Sequence, residues 1–406
     1  MHLKVLKYML GMIIKNAKLI LPCGTIALGG IVIKDGKINT IFLDDMIERS
    51  SGYHVIDAQG LYLSAGFIDI HVHGGGGFDF MDCNLEEYQH IADVHARYGT
   101  TSMLPTSLTS NPEHLTVLLE TYRSFMKNGA FRSRFLGLHL EGPYFALNQR
   151  GAQDPKYIRD PDPNEYMPIL QKYAPLIARW SAAPELNGAL AFGKELLKFG
   201  IIPSLAHTDA LYEDILRGLD AGYKLATHLY SGMSGMVRKD AFRYAGAIES
   251  CLLLDEITAE IIADGVHLPE PFLKLIVKVK TVDRIVLVTD AMRAAGTKDT
   301  CSKLGDRKDG LNVIIEQEVA KLPDRSSFAG SVATADRLVR TMVNVAGVTL
   351  PDAVKMLTIN PAQVIGVDHM LGSISVGKIA NVILFDKDIR VKLTVVEGNV
   401  IYRNSI

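Results

Sequence analysis

Phe67-Ile-Asp-Ile-His-Val-His73 alternates β-branched and polar residues and ends in two histidines one residue apart, directly after Gly66. A strand repeats every two residues, so His71 and His73 point to the same side of a sheet and can share one cation. Seven more apolar runs follow: Ser102-Met-Leu-Pro-Thr106, Phe135-Leu-Gly-Leu-His-Leu-Glu141, Ile177-Ala-Arg-Trp-Ser-Ala-Ala-Pro-Glu185, Ile201-Ile-Pro-Ser-Leu-Ala-His207, Lys224-Leu-Ala-Thr-His228, Thr258-Ala-Glu-Ile-Ile-Ala-Asp264 and Arg284-Ile-Val-Leu-Val-Thr-Asp290. Eight is the number of strands that closes a TIM barrel. The segments between them, such as 85–98, 112–127 and 188–199, are helix-length and polar on one face, as an outer ring of helices requires.

The flanks read differently. Ile13-Ile-Lys-Asn-Ala-Lys-Leu-Ile20, Gly30-Ile-Val-Ile-Lys-Asp-Gly36, Lys37-Ile-Asn-Thr-Ile-Phe42 and His54-Val-Ile-Asp57 are short strand-like runs, with Asp35-Gly36 as a hairpin turn. The same style returns in 372–385 and 392–401. The expected architecture is therefore α/β: a (β/α)8 TIM-like barrel over 65–365, with a small β-sandwich formed by 1–64 and 366–406.

At 406 residues and 48% hydrophobic, the chain is long enough for both units. Its 43 basic and 45 acidic residues leave a formal charge of −2, with no basic block, so electrostatics give no case for a nucleic-acid partner. The four cysteines show no CxxC spacing and are expected to be reduced thiols of a cytoplasmic protein. Lysines interrupt the first ten residues and no small-residue cleavage site follows, so no signal peptide is expected there. No apolar stretch approaches the ~18–20 residues needed to span a bilayer, which argues against membrane insertion.

The polar residues carry the functional reading. His73, Glu141, His207, His228 and Asp290 each fall at or next to the C-terminal end of an expected strand, where a barrel places its active site. Singly, each has an ordinary explanation as a hydrogen-bonded structural residue or, for Asp290, a helix cap. Chance does not readily place imidazole or carboxylate at the ends of so many strands. Such a donor set suits zinc, and also ferrous iron or manganese, which spacing does not separate. Asp290 emerges from the apolar run Ile285-Val-Leu-Val-Thr289, where an unpaired carboxylate is costly; beside an activated water it has a partner and a task as acid/base.

These residues resemble the amidohydrolase superfamily and, within it, the N-acetylglucosamine-6-phosphate deacetylases. The resemblance runs through Ala65-Gly-Phe-Ile-Asp-Ile-His-Val-His-Gly74, Gly137-Leu-His-Leu-Glu-Gly-Pro-Tyr144, Arg150-Gly-Ala-Gln-Asp-Pro-Lys-Tyr157, Ala206-His-Thr-Asp209, Thr227-His-Leu-Tyr-Ser-Gly-Met-Ser234, Ile262-Ala-Asp-Gly-Val-His267, Val288-Thr-Asp-Ala-Met292, Phe328-Ala-Gly-Ser331 and Asn360-Pro-Ala362. It implies hydrolysis of the acetamide of an N-acetylhexosamine 6-phosphate, N-acetylglucosamine 6-phosphate foremost, to the amino sugar phosphate and acetate. It further implies that Glu141, His207 and His228 hold the principal metal, that His71 and His73 serve a second ion bridged by Glu141, and that Asp290 is the catalytic acid/base. His267 corresponds to the family's phosphate-contacting histidine, Ser231-Gly232 to the segment along the substrate, and Arg238 or Arg243 to the phosphate arginine. Family members commonly form homodimers that donate this arginine across the interface.

Departures from the pattern bear on specificity. Ser231-Gly-Met233 stands where the family has Asn-Ala-Met, Gln153 where it has histidine, and Gly235-Met-Val-Arg-Lys-Asp-Ala-Phe-Arg-Tyr244 replaces the usual run before the arginine. Gln153 can donate to a substrate carbonyl but cannot carry positive charge. Three alternatives stand beside this reading: an amidohydrolase of another N-acyl amino sugar, a cyclic-amide hydrolase, and a non-catalytic barrel scaffold. Cyclic-amide hydrolases typically bridge two metals with a modified lysine at the end of strand four; 177–185 has no lysine, and Glu141 offers the bridging carboxylate instead. A scaffold would be free to lose ligands, and none is lost.

Overall fold

A computed structural model of the chain describes residues 11–43, 51–128 and 134–405. The first ten residues, considered above for a signal peptide, lie outside the described residues. The fold is mixed α/β. Its parallel strands form two arcs, one in the order Arg134–Phe135, Thr100–Pro105, Phe67–Val72, the other running Leu138–Glu141, Ile177–Ala182, Ile202–Leu205, Leu225–Ala226, Thr258–Ile261, Ile285–Leu287. Single parallel bridges link the arcs at both seams, Thr106 with His139 and Val72 with Ala291. Order in space thus follows order along the chain.

Helices Leu85–Ala96, Pro112–Asn128 and Ala189–Lys198 occupy the expected segments to within a turn. Asn84 caps the first of them, its side chain accepting from the Glu86 and Glu87 N–H groups. Trp180, the sole tryptophan, is fully buried between Tyr144 and Phe192. Its indole N–H donates to the Gly142 carbonyl at 2.8 Å, which ties the turn after Glu141 to the neighbouring strand.

Strands from both flanks share one eight-stranded sheet, in the order Asn399–Arg403, Val391–Val396, Val382–Phe385, Tyr62–Ala65, Met12–Ile20, Ile26–Lys34, Lys37–Leu43, with His54–Asp57 also paired to Met12–Ile20. Asp35 and Gly36 have φ of 48° and 73°, the double left-handed turn that a two-residue hairpin needs. Beneath the sheet lies a separate apolar core that includes Ile14, Leu19, Ile31, Leu63, Val382 and Leu393.

Most central strands are shorter than expected. The sixth is only Leu225–Ala226 and the eighth ends at Leu287, so His228 and Asp290 lie beyond their strands. The cause is backbone geometry: His207, His228 and Asp290 have φ of 44°, 32° and 47°, left-handed values that end extended pairing. Two elements were not expected at all. One is a four-stranded antiparallel sheet within 301–331; the other is a hairpin of Val237–Lys239 and Phe242–Tyr244.

All four cysteines are free thiols. Burial pushes Cys83 and Cys251 up to about 12, whereas Cys23 and Cys301 are exposed. Mass spectrometry after brief iodoacetamide treatment at neutral pH should therefore find Cys23 and Cys301 alkylated, with Cys83 and Cys251 modified only in denaturant. Rapid modification of Cys251 in the folded protein would contradict this packing. No described helix is long and apolar enough to cross a membrane.

Candidate active site

Glu141, at the end of the third central strand, is the hub of the polar cluster. Its Oε1 lies 2.9 Å from His228 Nε2, 3.3 Å from His207 Nε2 and 3.6 Å from His71 Nε2; its Oε2 lies 3.4 Å from His73 Nε2. Asp290 Oδ1 faces the other side, 3.1 Å from His73 Nε2 and 3.5 Å from His71 Nε2. The structure thus brings together every residue expected to bind metal, and Asp290 with them.

Non-glycine residues rarely adopt positive φ, and each such residue costs on the order of 1–3 kcal/mol. That His207, His228 and Asp290 all do so marks a backbone bent to converge side chains on one point. Gly232 adopts φ of 59° for a local reason: a Cβ there would lie 2.6 Å from His207 Nδ1 and 2.7 Å from the Gln149 carbonyl. Its absence lets the His207 ring donate from Nδ1 to that carbonyl at 2.8 Å, which aims Nε2 at Glu141.

The electrostatics favour a cation. Burial works to lower the His71 pKa, yet the Glu141 and Asp290 carboxylates raise it to about 9. His73 is likewise raised well above the imidazole range, against burial, by hydrogen bonds to Asp290 and Glu141. Burial opposes the charges of Glu141 and Asp290, but the surrounding histidines hold both below the carboxylate range. Two carboxylates and four imidazoles therefore face one another in a space that draws positive charge to the inward nitrogens. His71 Nε2 and His73 Nε2, only 3.2 Å apart, cannot both present lone pairs to each other without a positive charge between them. This nitrogen and oxygen donor set fits a divalent metal: triads His71, His73, Asp290 and His71, Glu141, His228 each have ligand atoms within 4.8 Å of one another.

The cluster opens into a cavity of about 550 Å³ lined by Gln153, Ser231, Gly232 and His267 among others. His267 Nδ1 lies 2.7 Å from Asp264 Oδ2, and its ring packs on Phe328. Gln153 proves to be tied to the cluster: its Oε1 accepts from the Thr109 N–H and hydroxyl, both at 2.9 Å, and its Nε2 donates to Glu141 Oε2 at 2.9 Å. One of its two N–H groups is thereby committed to orienting Glu141, leaving one for a substrate carbonyl.

Arg238 and Arg243 are not brought to the cavity. They sit opposite each other on the exposed hairpin. The cations that do line the cavity are Lys321 and Arg325, carried by the unexpected four-stranded sheet. Also unforeseen are three buried residues around the cluster. His139 packs edge-on against His71, with ring centroids 4.6 Å apart; burial and the nearby Arg179 hold its pKa well below the usual range. Glu260 receives His71 Nδ1 at 2.9 Å and is paired with Arg179; burial opposes its charge, but Arg179 and His71 lower it to about 2. A charge standing alone in an apolar strand, as Arg179 does in Ile177-Ala-Arg-Trp180, was the available signal.

The chain belongs to the amidohydrolase family, whose model matches residues 62–401. It is 30% identical over 397 residues to the N-acetylglucosamine-6-phosphate deacetylase of Lysinibacillus sphaericus, covering 97% of this chain and 98% of that one. It is 32% identical over 344 residues to the N-acetylgalactosamine-6-phosphate deacetylase of Escherichia coli O157:H7, covering 85% and 89%. The crystal structure of N-acetylglucosamine-6-phosphate deacetylase from Pasteurella multocida superposes with a TM-score of 0.89 at 30% identity, over 97% of this chain and all of that one. The protein is accordingly a hydrolase.

Proposed function

We propose that the chain is a metal-dependent deacetylase that hydrolyses the acetamide of an N-acetylhexosamine 6-phosphate, N-acetylglucosamine 6-phosphate foremost, releasing acetate and the amino sugar phosphate. The observation that carries this is the convergence of His71, His73, His207 and His228 on Glu141 with Asp290 opposite, at the floor of a sugar-sized cavity. Architecture supports it: contacts such as His71 to Glu260 and Arg179 to Glu260 cross between strands that are not neighbours, as side chains do inside a closed (β/α)8 barrel. We take 65–365 as that barrel, and 1–64 with 366–406 as a β-sandwich domain around its own core.

Glu141, His207 and His228 would hold the principal ion, and His71 with His73 a second one sharing Glu141; zinc is the first choice, with iron or manganese as alternatives. When bound, the metal supplies Lewis-acid activation of water and of the amide carbonyl. Asp290 takes the proton from the attacking water and delivers it to the departing amine, since an amide nitrogen leaves only when protonated. Gln153 keeps Glu141 in register and turns its second N–H toward the carbonyl. Ser231 and Gly232 flank the sugar, and His267 donates to the phosphate from Nε2 while Asp264 holds its Nδ1.

Within the chain the phosphate is met by Lys321 and Arg325 at the cavity wall. The hairpin arginines, Arg238 and Arg243, would reach a phosphate only in the partner of a homodimer. The compartment we assign is the cytoplasm, in keeping with the four free thiols. The testing experiment is a deacetylation screen of N-acetylglucosamine, N-acetylgalactosamine and N-acetylmannosamine with and without a 6-phosphate. A preference for unphosphorylated sugars would sink the phosphate assignment, and release of no acetate from any of them would sink the deacetylase reading. On the favoured phosphosugar, Lys321→Ala/Arg325→Ala should raise KM about tenfold with kcat little changed, the low end for hydrogen bonds to charged groups because Arg325 is exposed and shared with Glu316.

A further inference from the structure

Behind the histidine cluster lies a charged pair that no step above uses. Arg179, on the fourth central strand, and Glu260, on the seventh, are both completely buried. Arg179 Nη1 donates to Glu260 Oε2, while Nη2 lies 3.1 Å from Thr227 Oγ1 and 3.4 Å from Glu260 Oε1. Glu260 Oε1 also meets His71 Nδ1 at 2.9 Å. A carboxylate so paired only accepts, so the proton at that contact belongs to the imidazole. With Nδ1 protonated, a neutral His71 has its lone pair on Nε2, the atom facing His73, Glu141 and Asp290.

The other rings lack this arrangement. His207 gives its Nδ1 to a neutral carbonyl, and the Nδ1 atoms of His73 and His228 are buried without a hydrogen-bond partner. His71 alone among the four is backed by a carboxylate, and a guanidinium fixes that carboxylate in turn. An anionic partner at the rear of an imidazole both selects the tautomer and strengthens the opposite nitrogen as a donor.

We propose that Glu260, braced by Arg179, is a positioning residue that holds His71 in the Nδ1–H tautomer and commits its Nε2 to the cation shared with His73. This rests on the reading of the cluster as a metal site. Glu260→Gln makes the idea testable because Arg179 would claim the single amide oxygen, turning the NH2 group toward His71 Nδ1 and driving the ring to the opposite tautomer.

The experiment uses the full chain, stripped with chelator and titrated with Zn2+, with uptake followed by equilibrium dialysis and elemental analysis. Ring-15N-labelled histidine in the Zn2+-loaded protein reports which His71 nitrogen carries the proton, assigned by the signal lost in His71→Asn. In the wild type that proton should sit on Nδ1. Glu260→Gln should abolish the signal and weaken one Zn2+ equivalent roughly 10–100-fold, leaving the other unchanged. Should the lone buried Arg179 prevent folding of that variant, Arg179→Met/Glu260→Met removes both charges and should show the same weakened equivalent. Wild-type affinity for both equivalents in the folded variants, or a His71 proton on Nε2 in the wild type, overturns the proposal. A wild-type chain that takes up no Zn2+ removes the metal reading and the proposal with it, whereas undiminished uptake in Glu260→Gln removes the positioning role alone.

Discussion

Asp290→Asn is expected to lower kcat by about 10²–10⁴-fold, the usual worth of a positioned acid/base, with KM and bound metal nearly unchanged. The expectation follows from what Asn keeps and what it loses. Asparagine matches the shape of aspartate and retains an oxygen acceptor for the His73 and His71 contacts at 3.1 and 3.5 Å. It cannot take up a proton and return it. A rate loss of that size corresponds to roughly 3–5 kcal/mol of barrier, far above the cost of one altered neutral hydrogen bond. Steady-state kinetics with an acetate readout, alongside elemental analysis, would check it. A variant retaining more than a tenth of the wild-type kcat would remove Asp290 from the proton path, and one that lost its metal would recast it as mainly a ligand.

The reason Asp290 stays ionised bears on the same prediction. Burial alone would favour its acid form, but His71, His73 and His228 outweigh burial and lower its pKa. The residue is thus a base in its resting state, as the first half of the reaction needs, and becomes an acid only after taking a proton. Its left-handed backbone, the Asp290 N–H donation to the His71 carbonyl at 2.9 Å and the Ser331 N–H donation to its own carbonyl at 2.8 Å hold it over the cluster.

How far the sequence discloses this depends on whether a residue's role is local. The Ile-His-Val-His alternation in 70–73 and the polar residues Glu141, His207, His228 and Asp290 closing four further apolar runs disclosed the cluster, because strand period and strand ends are local features. Asp35-Gly36 disclosed its hairpin for the same reason. Arg179, Glu260 and His139 were visible as odd residues in apolar strands, but their meaning lies in contacts across 81 positions for Arg179 with Glu260 and 189 for Glu260 with His71. No local pattern encodes that pairing. The phosphate contacts are less legible: motif position points to Arg238 and Arg243, which this chain carries on its exposed hairpin, while Lys321 and Arg325, from the antiparallel segment within 301–331, line the cavity with no motif to announce them.

Glu141→Ala is expected to abolish activity beyond the roughly 10²–10³-fold typical of losing one electrostatic contact, and to lose metal as well. The argument is one of geometry. Oε1 serves His207, His228 and His71, and Oε2 serves His73 and Gln153, so one carboxylate joins both halves of the cluster. His71→Asn or His73→Asn leaves Glu141, His207 and His228 together and should cost one ion of two, retaining measurable turnover. Removing Glu141 leaves four imidazoles facing each other with Asp290 as their only remaining carboxylate neighbour among the cluster residues, so both ions should go. Elemental analysis of the three variants separates the possibilities. Equal metal loss in all three would mean that the histidine pair matters as much as the bridge, while retention of a full complement in Glu141→Ala would show that the carboxylate joins nothing. The rank order Glu141 above the histidine pair follows from the distances: the atom that touches most ligands is the one the site can least replace.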